Sequence, residues 1–176
     1  LNVPAVSEQW YKVPSTQTEL LKRAAFVLPE LFPEELAAAA QQRKEGKGAV
    51  VGCAGCYPTA TTLAAAPAVR LGLVDDKAPI VVDAISGVTG AGKKATARTH
   101  FCFANENLEA YGVATHRHTP EIEQILGVSG RLVFTPHLAP LNRGLLSTVN
   151  LPLATGATRD VAKIIESYKE FYQNSA

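Results

Sequence analysis

Charge of one sign is missing from this sequence of 176 residues: 17 Lys and Arg stand against 16 Asp and Glu, a formal charge of +1. No excess field is present to hold nucleic acid or an anionic membrane, so a small-molecule ligand fits better. A long apolar run is missing too. The longest, around residues 60–73, is interrupted by Pro67, Arg70 and Gly72 and falls short of the roughly 20 residues that span a bilayer. A soluble protein is expected. The start, Leu1-Asn2-Val3-Pro4, has neither the basic nor the apolar region of a secretory signal and no methionine, which is what a piece of a longer chain would show. Cysteine is scarce: three are an odd number and too few for a disulfide framework, which points to a reducing, cytoplasmic compartment and free thiols. No repeat with a period of about 20–50 residues is visible.

What is present is a hydrophobic fraction of 47%, enough for a packed core, and an alternation of helical and strand-like segments. Residues 17–25 and 33–45 are rich in helix formers, the second opening on Pro33. Residues 49–52 read as a short buried strand leading to a turn at Cys56, with a helix over about 58–71. Strands are expected over 79–85, 111–115, 131–136 and 145–153, and helices over 119–126, capped by Thr119, and 158–172. The pattern is a mixed α+β one.

Cys56 stands between a strand end and a helix start, where backbone N–H groups and the positive end of the helix dipole favour the thiolate. A reactive thiol is one reading and a buried core cysteine the other. Cys53-Ala54-Gly55-Cys56 also has the spacing of a redox dithiol or half a zinc site, but no second ligand pair of the usual spacing accompanies it. Gly87-Val88-Thr89-Gly90-Ala91-Gly92-Lys93-Lys94 nearly satisfies the phosphate-loop pattern, failing where Lys94 replaces the magnesium-binding hydroxyl. Its consecutive amides could still form a nest for an anion or a cofactor, or the segment could be a surface turn. Residues 115–121 gather His116, Arg117, His118 and Glu121 at a helix entry, a density that suggests a site. Entering as a strand, this stretch would put His116 and His118 on one face, one serving Cys56 as base and the other binding substrate. His137 and Arg143 offer a further imidazole and an anion-binding guanidinium.

Taken in order, the strings Gly55-Cys56-Tyr57-Pro58-Thr59, Ser86-Gly87-Val88-Thr89-Gly90-Ala91-Gly92-Lys93, His116-Arg117-His118-Thr119-Pro120-Glu121-Ile122, Phe134-Thr135-Pro136-His137 and Arg143-Gly144 resemble the N-acetyl-gamma-glutamyl-phosphate reductase family of arginine biosynthesis, from about 49 to 172. Related semialdehyde dehydrogenases share the logic but not these strings. The resemblance implies NADPH-dependent reductive dephosphorylation of N-acetylglutamyl 5-phosphate to the semialdehyde, through a thioester on Cys56. It makes His116 base and acid, His118 and Glu121 substrate-positioning residues, and Arg143 an anion contact. Ser86, Gly87 and Gly90 would lie in the loop near the nicotinamide. The implied fold is like the C-terminal α+β domain of glyceraldehyde-3-phosphate dehydrogenase, a mixed sheet with flanking helices, in a homo-oligomer, dimer or tetramer. The implied location is the cytoplasm, or the plastid in a plant. No metal is implied. No glycine fingerprint of a Rossmann domain opens the chain. Residues 1–48 are therefore expected to be a helical lead-in from the junction with a missing nucleotide-binding domain. Residues 49–176 would be the catalytic and dimerisation domain, truncated at its end, with NADP(H) held mostly elsewhere and little activity in the piece alone. A non-catalytic dimerisation module and a Cys-His hydrolase are the alternatives.

Overall fold

The computed structural model describes residues 8–10 and 12–175, so the Leu1–Pro4 start lies outside the described residues. The chain divides into two compact units, Leu1–Gly55 with Ile165–Ala176, and Cys56–Ile164.

In the first unit, α1 spans Thr18–Lys22, β1 Ala25–Val27, α2 Pro33–Lys44 and β2 Val51–Cys53. The helix expected over 17–25 stops early because residues from Ala25 are claimed by parallel pairing with β2, Ala25 opposite Val51. Pro33 opens α2 where its missing N–H costs nothing. The Glu35 carboxylate accepts the Phe26 N–H at 2.7 Å, which ties this helix to β1. The β2 residues, expected to be buried, are all exposed. Among the described residues their strand pairs with β1 alone and is an edge.

The second unit is built on a four-stranded sheet of β3 (Ile80–Gly87), β4 (Glu109–Ala110), β5 (Leu132–Ala139) and β6 (Leu145–Asn150), in the order β4-β5-β3-β6. The central β3 runs parallel to β5, Ile80 opposite Leu132, and antiparallel to β6, Val82 opposite Val149. Period-two alternation sends Ile80, Val82, Ala84, Leu132, Phe134 and Leu138 to the buried face. Helix α3 (Cys56–Arg70) packs on that face with its small residues: Thr61, Thr62, Ala65, Ala66 and Ala68 are all buried. The Thr61 hydroxyl lies 2.8 Å from that of Ser147 in β6. Short side chains let the helix axis approach the strands closely, and the recurrence at three- and four-residue steps gives it a single inward stripe. The opposite sheet face is open, with Val133 49% and Leu146 60% exposed.

A four-residue helix, α4 (Phe101–Ala104), precedes β4, and α5 (Thr119–Leu126) follows it. Helix α5 has the expected bounds, but its N-cap is His118, so Thr119 is already helical and Pro120 follows it. The strand expected over 111–115 does not form. Gly112 at φ 56° and Ala114 at φ 57° turn the chain through left-handed conformations that cannot enter a ladder. The last helix, α6 (Val161–Tyr172), starts three residues later than expected and leaves Val161 and Ile165 exposed. Among the described residues no helix is long and apolar enough to cross a membrane.

Candidate active site

Helix α3 begins at Cys56 itself, two residues earlier than expected, and Pro58 is its third residue. The sulfur therefore stands in the first turn of a 15-residue helix, at the positive end of its dipole, and it is exposed. All three cysteines are free thiols. The next side chain, Tyr57, turns inward and is buried. It anchors the helix start to the sheet: its hydroxyl donates to the His137 carbonyl at 3.2 Å and accepts from the Tyr111 hydroxyl at 3.2 Å. Burial first, and then the bond to Tyr111, push its pKa far above the ordinary tyrosine value, so Tyr57 stays protonated.

Residues 111–118 form the facing wall as two tight turns, with Thr115 N–H donating to the Gly112 carbonyl and Thr119 N–H to that of His116. They bring the His116 and His118 rings 4.8 Å apart, centroid to centroid, without any strand. His116 sits among Tyr57, Tyr111 and Phe134, with ring centroids at 5.8, 5.5 and 5.3 Å. Its Nδ1 accepts the backbone N–H of His118 at 3.2 Å. A Cβ on Gly112 would lie 3.3 Å from the His116 Cδ2, so the glycine gives the ring its seat. Burial, and then the Arg117 charge, lower the His116 pKa. The His118 pKa is lowered to about 4, by burial first and then by His116 and Arg117. Its Nδ1 is buried with no hydrogen-bond partner, as is the Thr119 hydroxyl.

Cys56, His116, His118 and Gly90 line one cavity of about 670 Å³, together with Tyr57, Tyr111, Arg98 and Arg117. The remaining expected residues do not line it. Ser86 is buried and donates to the Gly87 carbonyl at 3.0 Å. Glu121 is buried in the first turn of α5, 7% exposed. Arg143 is exposed in the 141–144 loop. That loop also decides what the glycine-rich segment can do. The N–H groups of Gly87, Val88 and Thr89 donate to the carbonyls of Gly144, Leu141 and Asn142, so they are spent inside the chain and form no anion nest. A Cβ on Gly87 would meet the Leu141 carbonyl oxygen at 2.8 Å, which is why only glycine allows this contact. The segment then makes one 3₁₀ turn, Val88–Ala91, and opens no helix, unlike a phosphate loop.

Tyr57, Tyr111 and Arg98 escaped the sequence reading. Tyr57 adjoins the cysteine, and the apolar neighbours of α3 could have flagged it as an inward anchor. Arg98 offers no such signal: its Nε donates to both Glu109 oxygens, at 3.0 and 3.1 Å, and its guanidinium lies 5.3 Å from the Tyr111 ring centroid. Among the described residues no three His, Cys, Asp or Glu side chains are grouped to hold a metal ion.

Residues 56–176 match the family described as semialdehyde dehydrogenase, dimerisation domain. The chain is 46% identical to an N-acetyl-gamma-glutamyl-phosphate reductase of Desulforudis audaxviator, over 96% of this chain and 46% of that protein. It is 44% identical to the enzyme of the same name from Syntrophobacter fumaroxidans, over 97% of this chain and 47% of the relative. The chain thus spans about half the length of these relatives. Among solved structures, aspartate semialdehyde dehydrogenase with NADP from Candida albicans superposes with a TM-score of 0.58 at 13% identity, covering 82% of this chain and 44% of that one. This last likeness concerns the fold.

Proposed function

Because the chain belongs to the semialdehyde dehydrogenase dimerisation-domain family, we propose that it is the catalytic and dimerisation part of an N-acetyl-gamma-glutamyl-phosphate reductase. Its reaction is then the NADPH-dependent reductive dephosphorylation of N-acetyl-L-glutamyl 5-phosphate to the 5-semialdehyde in arginine biosynthesis. One observation carries the reading: an exposed cysteine in the first turn of a helix shares a cavity with two neighbouring imidazoles and two guanidiniums. This matches covalent chemistry on a substrate with two anionic groups. Residues 49–176 are the catalytic portion in this reading, and 1–48 the lead-in from a nucleotide-binding domain. A cytoplasmic location goes with it.

Cys56 Sγ attacks the acyl carbon, the C–S bond forms, and the bond from carbon to the phosphate oxygen breaks. The thiol proton departs on the phosphate. The product is a thioester on Cys56. When bound, the reduced nicotinamide supplies a hydride to the thioester carbon. The C–S bond then breaks, the aldehyde is released and the cysteine is regenerated. His116 serves as base for the cysteine and as acid for the departing oxygen or sulfur, His118 and Glu121 position substrate or hold that imidazole, and Arg98 and Arg117, which line the cavity, take the anionic groups, with Arg143 an outer contact. Tyr57 stays protonated and holds the first turn of α3 in place.

In this reading the nicotinamide end of NADP(H) lies at the Gly90–Ala91 wall of the cavity, with the Ser86 side chain packed against Gly90 behind it. The cavity does not fit the diphosphate, since the Gly87, Val88 and Thr89 amides are already used. The chain by itself should therefore show little reductase activity. Turnover of the isolated chain at the rate of the whole protein would refute that. The chemistry is tested by adding the acyl phosphate to the whole protein without NADPH and digesting it. An N-acetylglutamyl adduct on the Cys56 peptide is expected, whereas turnover without that adduct overturns the assignment.

As a dimerisation domain the chain acts in an oligomer, and we place the subunit contact on the open sheet face. There Val133 and Leu146 lie exposed on strands flanking Asp83 and Ile85. Leu146→Asp should shift the protein toward monomer in light scattering, and an unchanged mass would move the contact elsewhere.

A further inference from the structure

We propose that Arg98 holds the substrate's carboxylate, the anionic group that takes no part in the reaction, through its two Nη groups, and that Glu109 is the residue that aims it. The proposal rests on the reductase reading and deepens it by giving one anionic group of the substrate to one guanidinium.

Arg98 is the middle residue of a 3₁₀ turn, Ala97–Thr99, whose backbone is tied at both ends. The Thr96 hydroxyl accepts the Thr99 N–H, the Thr99 hydroxyl accepts the Thr96 N–H at 3.1 Å, and the His100 N–H donates to the Ala97 carbonyl at 3.1 Å. Thr96, Ala97 and Thr99 line the cavity together with Arg98. The long side chain therefore grows from a fixed root on the cavity wall.

The guanidinium is then restrained at an edge and on a face. Its Nε donates to both Glu109 oxygens, at 3.0 and 3.1 Å, and it lies over the Tyr111 ring at 5.3 Å from the centroid. Glu109 is fixed in turn by β4, where it stands opposite Leu138 of β5. Tyr111 is fixed by its N–H on the Pro136 carbonyl and its hydroxyl on that of Tyr57. A guanidinium carries five N–H donors in a rigid fork. With Nε spent on Glu109, the four on Nη1 and Nη2 remain, and no acceptor among the described residues takes them. The ion pair is half-exposed, and a pair so placed adds little to stability. What it adds is direction, because it removes the freedom of a flexible side chain before the ligand arrives.

The two anionic groups of the substrate make different demands. The phosphate is bonded to the carbon that Cys56 attacks, so it lies at the start of α3, where the helix dipole supplies positive potential. The carboxylate is several bonds away along the substrate's carbon chain. Arg98 connects to the start of α3 through Tyr111 and then Tyr57, one ring beyond the residue that follows the nucleophile. Glu109 already offsets much of its charge, which leaves a weak field and a sharp geometry. That combination suits a planar monoanion accepting two parallel N–H bonds better than a dianion that calls for net charge.

Binding and kinetics on the whole protein test this. N-acetylnorvaline keeps the carboxylate, the acetylated amine and the carbon chain but has no reacting group, and it is titrated calorimetrically beside its carboxamide. The acid should bind about 10- to 100-fold more tightly than the amide, the worth of hydrogen bonds to a charged group. In Arg98→Ala the two should bind alike, and Arg98→Lys, with charge but no fork, should restore only part of the difference. A difference that survives in Arg98→Ala, or none in the unaltered protein, overturns the proposal. This titration needs no turnover, so its outcome is separate from the Cys56 adduct that tests the reductase reading.

Run from aldehyde, phosphate and NADP⁺, the reaction gives each KM separately. Arg98→Ala should raise the KM for aldehyde by about 10- to 100-fold and leave that for phosphate within about twofold. A rise in the phosphate KM alone overturns the assignment. Glu109→Gln should raise the aldehyde KM by roughly three- to tenfold with little change in kcat or Tm, and should add nothing in the Arg98→Ala background. The same rise in both backgrounds overturns the positioning role of Glu109.

Discussion

The two walls of the cavity are made in opposite ways. Cys56 is presented by regular structure: a long helix whose buried small residues seat it on the sheet, with Tyr57 fastening its first turn. His116 is presented by irregular backbone, through a left-handed glycine, a left-handed alanine and an amide that reads the ring nitrogen. A regular element tolerates change along its length because many weak contacts share the load. A loop of tight turns concentrates its specification in single atoms, so substitutions that look mild should be costly there.

The largest effect tests the nucleophile itself. Cys56→Ala in the whole protein should lower kcat on the order of 10⁴-fold or more, as removal of a covalent nucleophile does, in a steady-state NADPH oxidation assay. Gly112→Ala comes next and tests the loop wall. Its Cβ would press on the His116 ring at 3.3 Å from a backbone with φ 56°. A shift of the ring by a fraction of an ångström should cost on the order of 10²-fold in kcat. An equally small change on the helix wall, Ala64→Gly, should cost only about 1 kcal/mol of stability and leave kcat near its starting value. If the two substitutions behaved alike in the assay, the contrast between the walls would be wrong.

Gly87→Ala should destabilise the protein by about 2 kcal/mol in urea titration, because its Cβ would overlap the backbone of the 141–144 loop. A smaller effect concerns pH. The folded-state pKa of His118, about 4, lies below the ordinary histidine value of 6.5. As pH falls, the unfolded chain therefore takes up the proton first. The stability due to a neutral His118 is present above about pH 6.5 and is lost as pH falls from there toward about 4. The urea midpoint should decline over that window, and His118→Gln should flatten the decline. The smallest change is a gain: Ala114→Gly should relieve the left-handed strain and stabilise by up to about 1 kcal/mol, read from Tm.

The same contrast explains what could be read in advance. The helix over 119–126 and the central strand announced themselves through a proline, a glycine and apolar periodicity, because those signals are local. The cysteine turn was legible for the same reason. The segment 111–115 looked like a strand because Tyr111, Val113 and Thr115 suit one. What excludes a strand is the pair of left-handed residues, and nothing in an alanine advertises a positive φ. The glycine-rich segment suggested an anion site because free amides are its usual use. Only tertiary structure could reveal that the 141–144 loop consumes them. Tyr57 and Tyr111 meet across 54 residues of chain, a contact with no local signature.

That distance along the chain also bears on how the molecule is made. Tyr57 closes one loop of 54 residues through Tyr111 and another of 80 through His137, so its fastening needs segments made long after it. During synthesis Cys56 leaves the ribosome before His116 exists, by roughly several seconds at 5–20 residues per second. In that interval α3 can coil by itself while its thiol stands in a cell's pool of oxidants and electrophiles without the wall that will later enclose it. The order of the sequence thus gives the newborn chain a brief chemical vulnerability at Cys56.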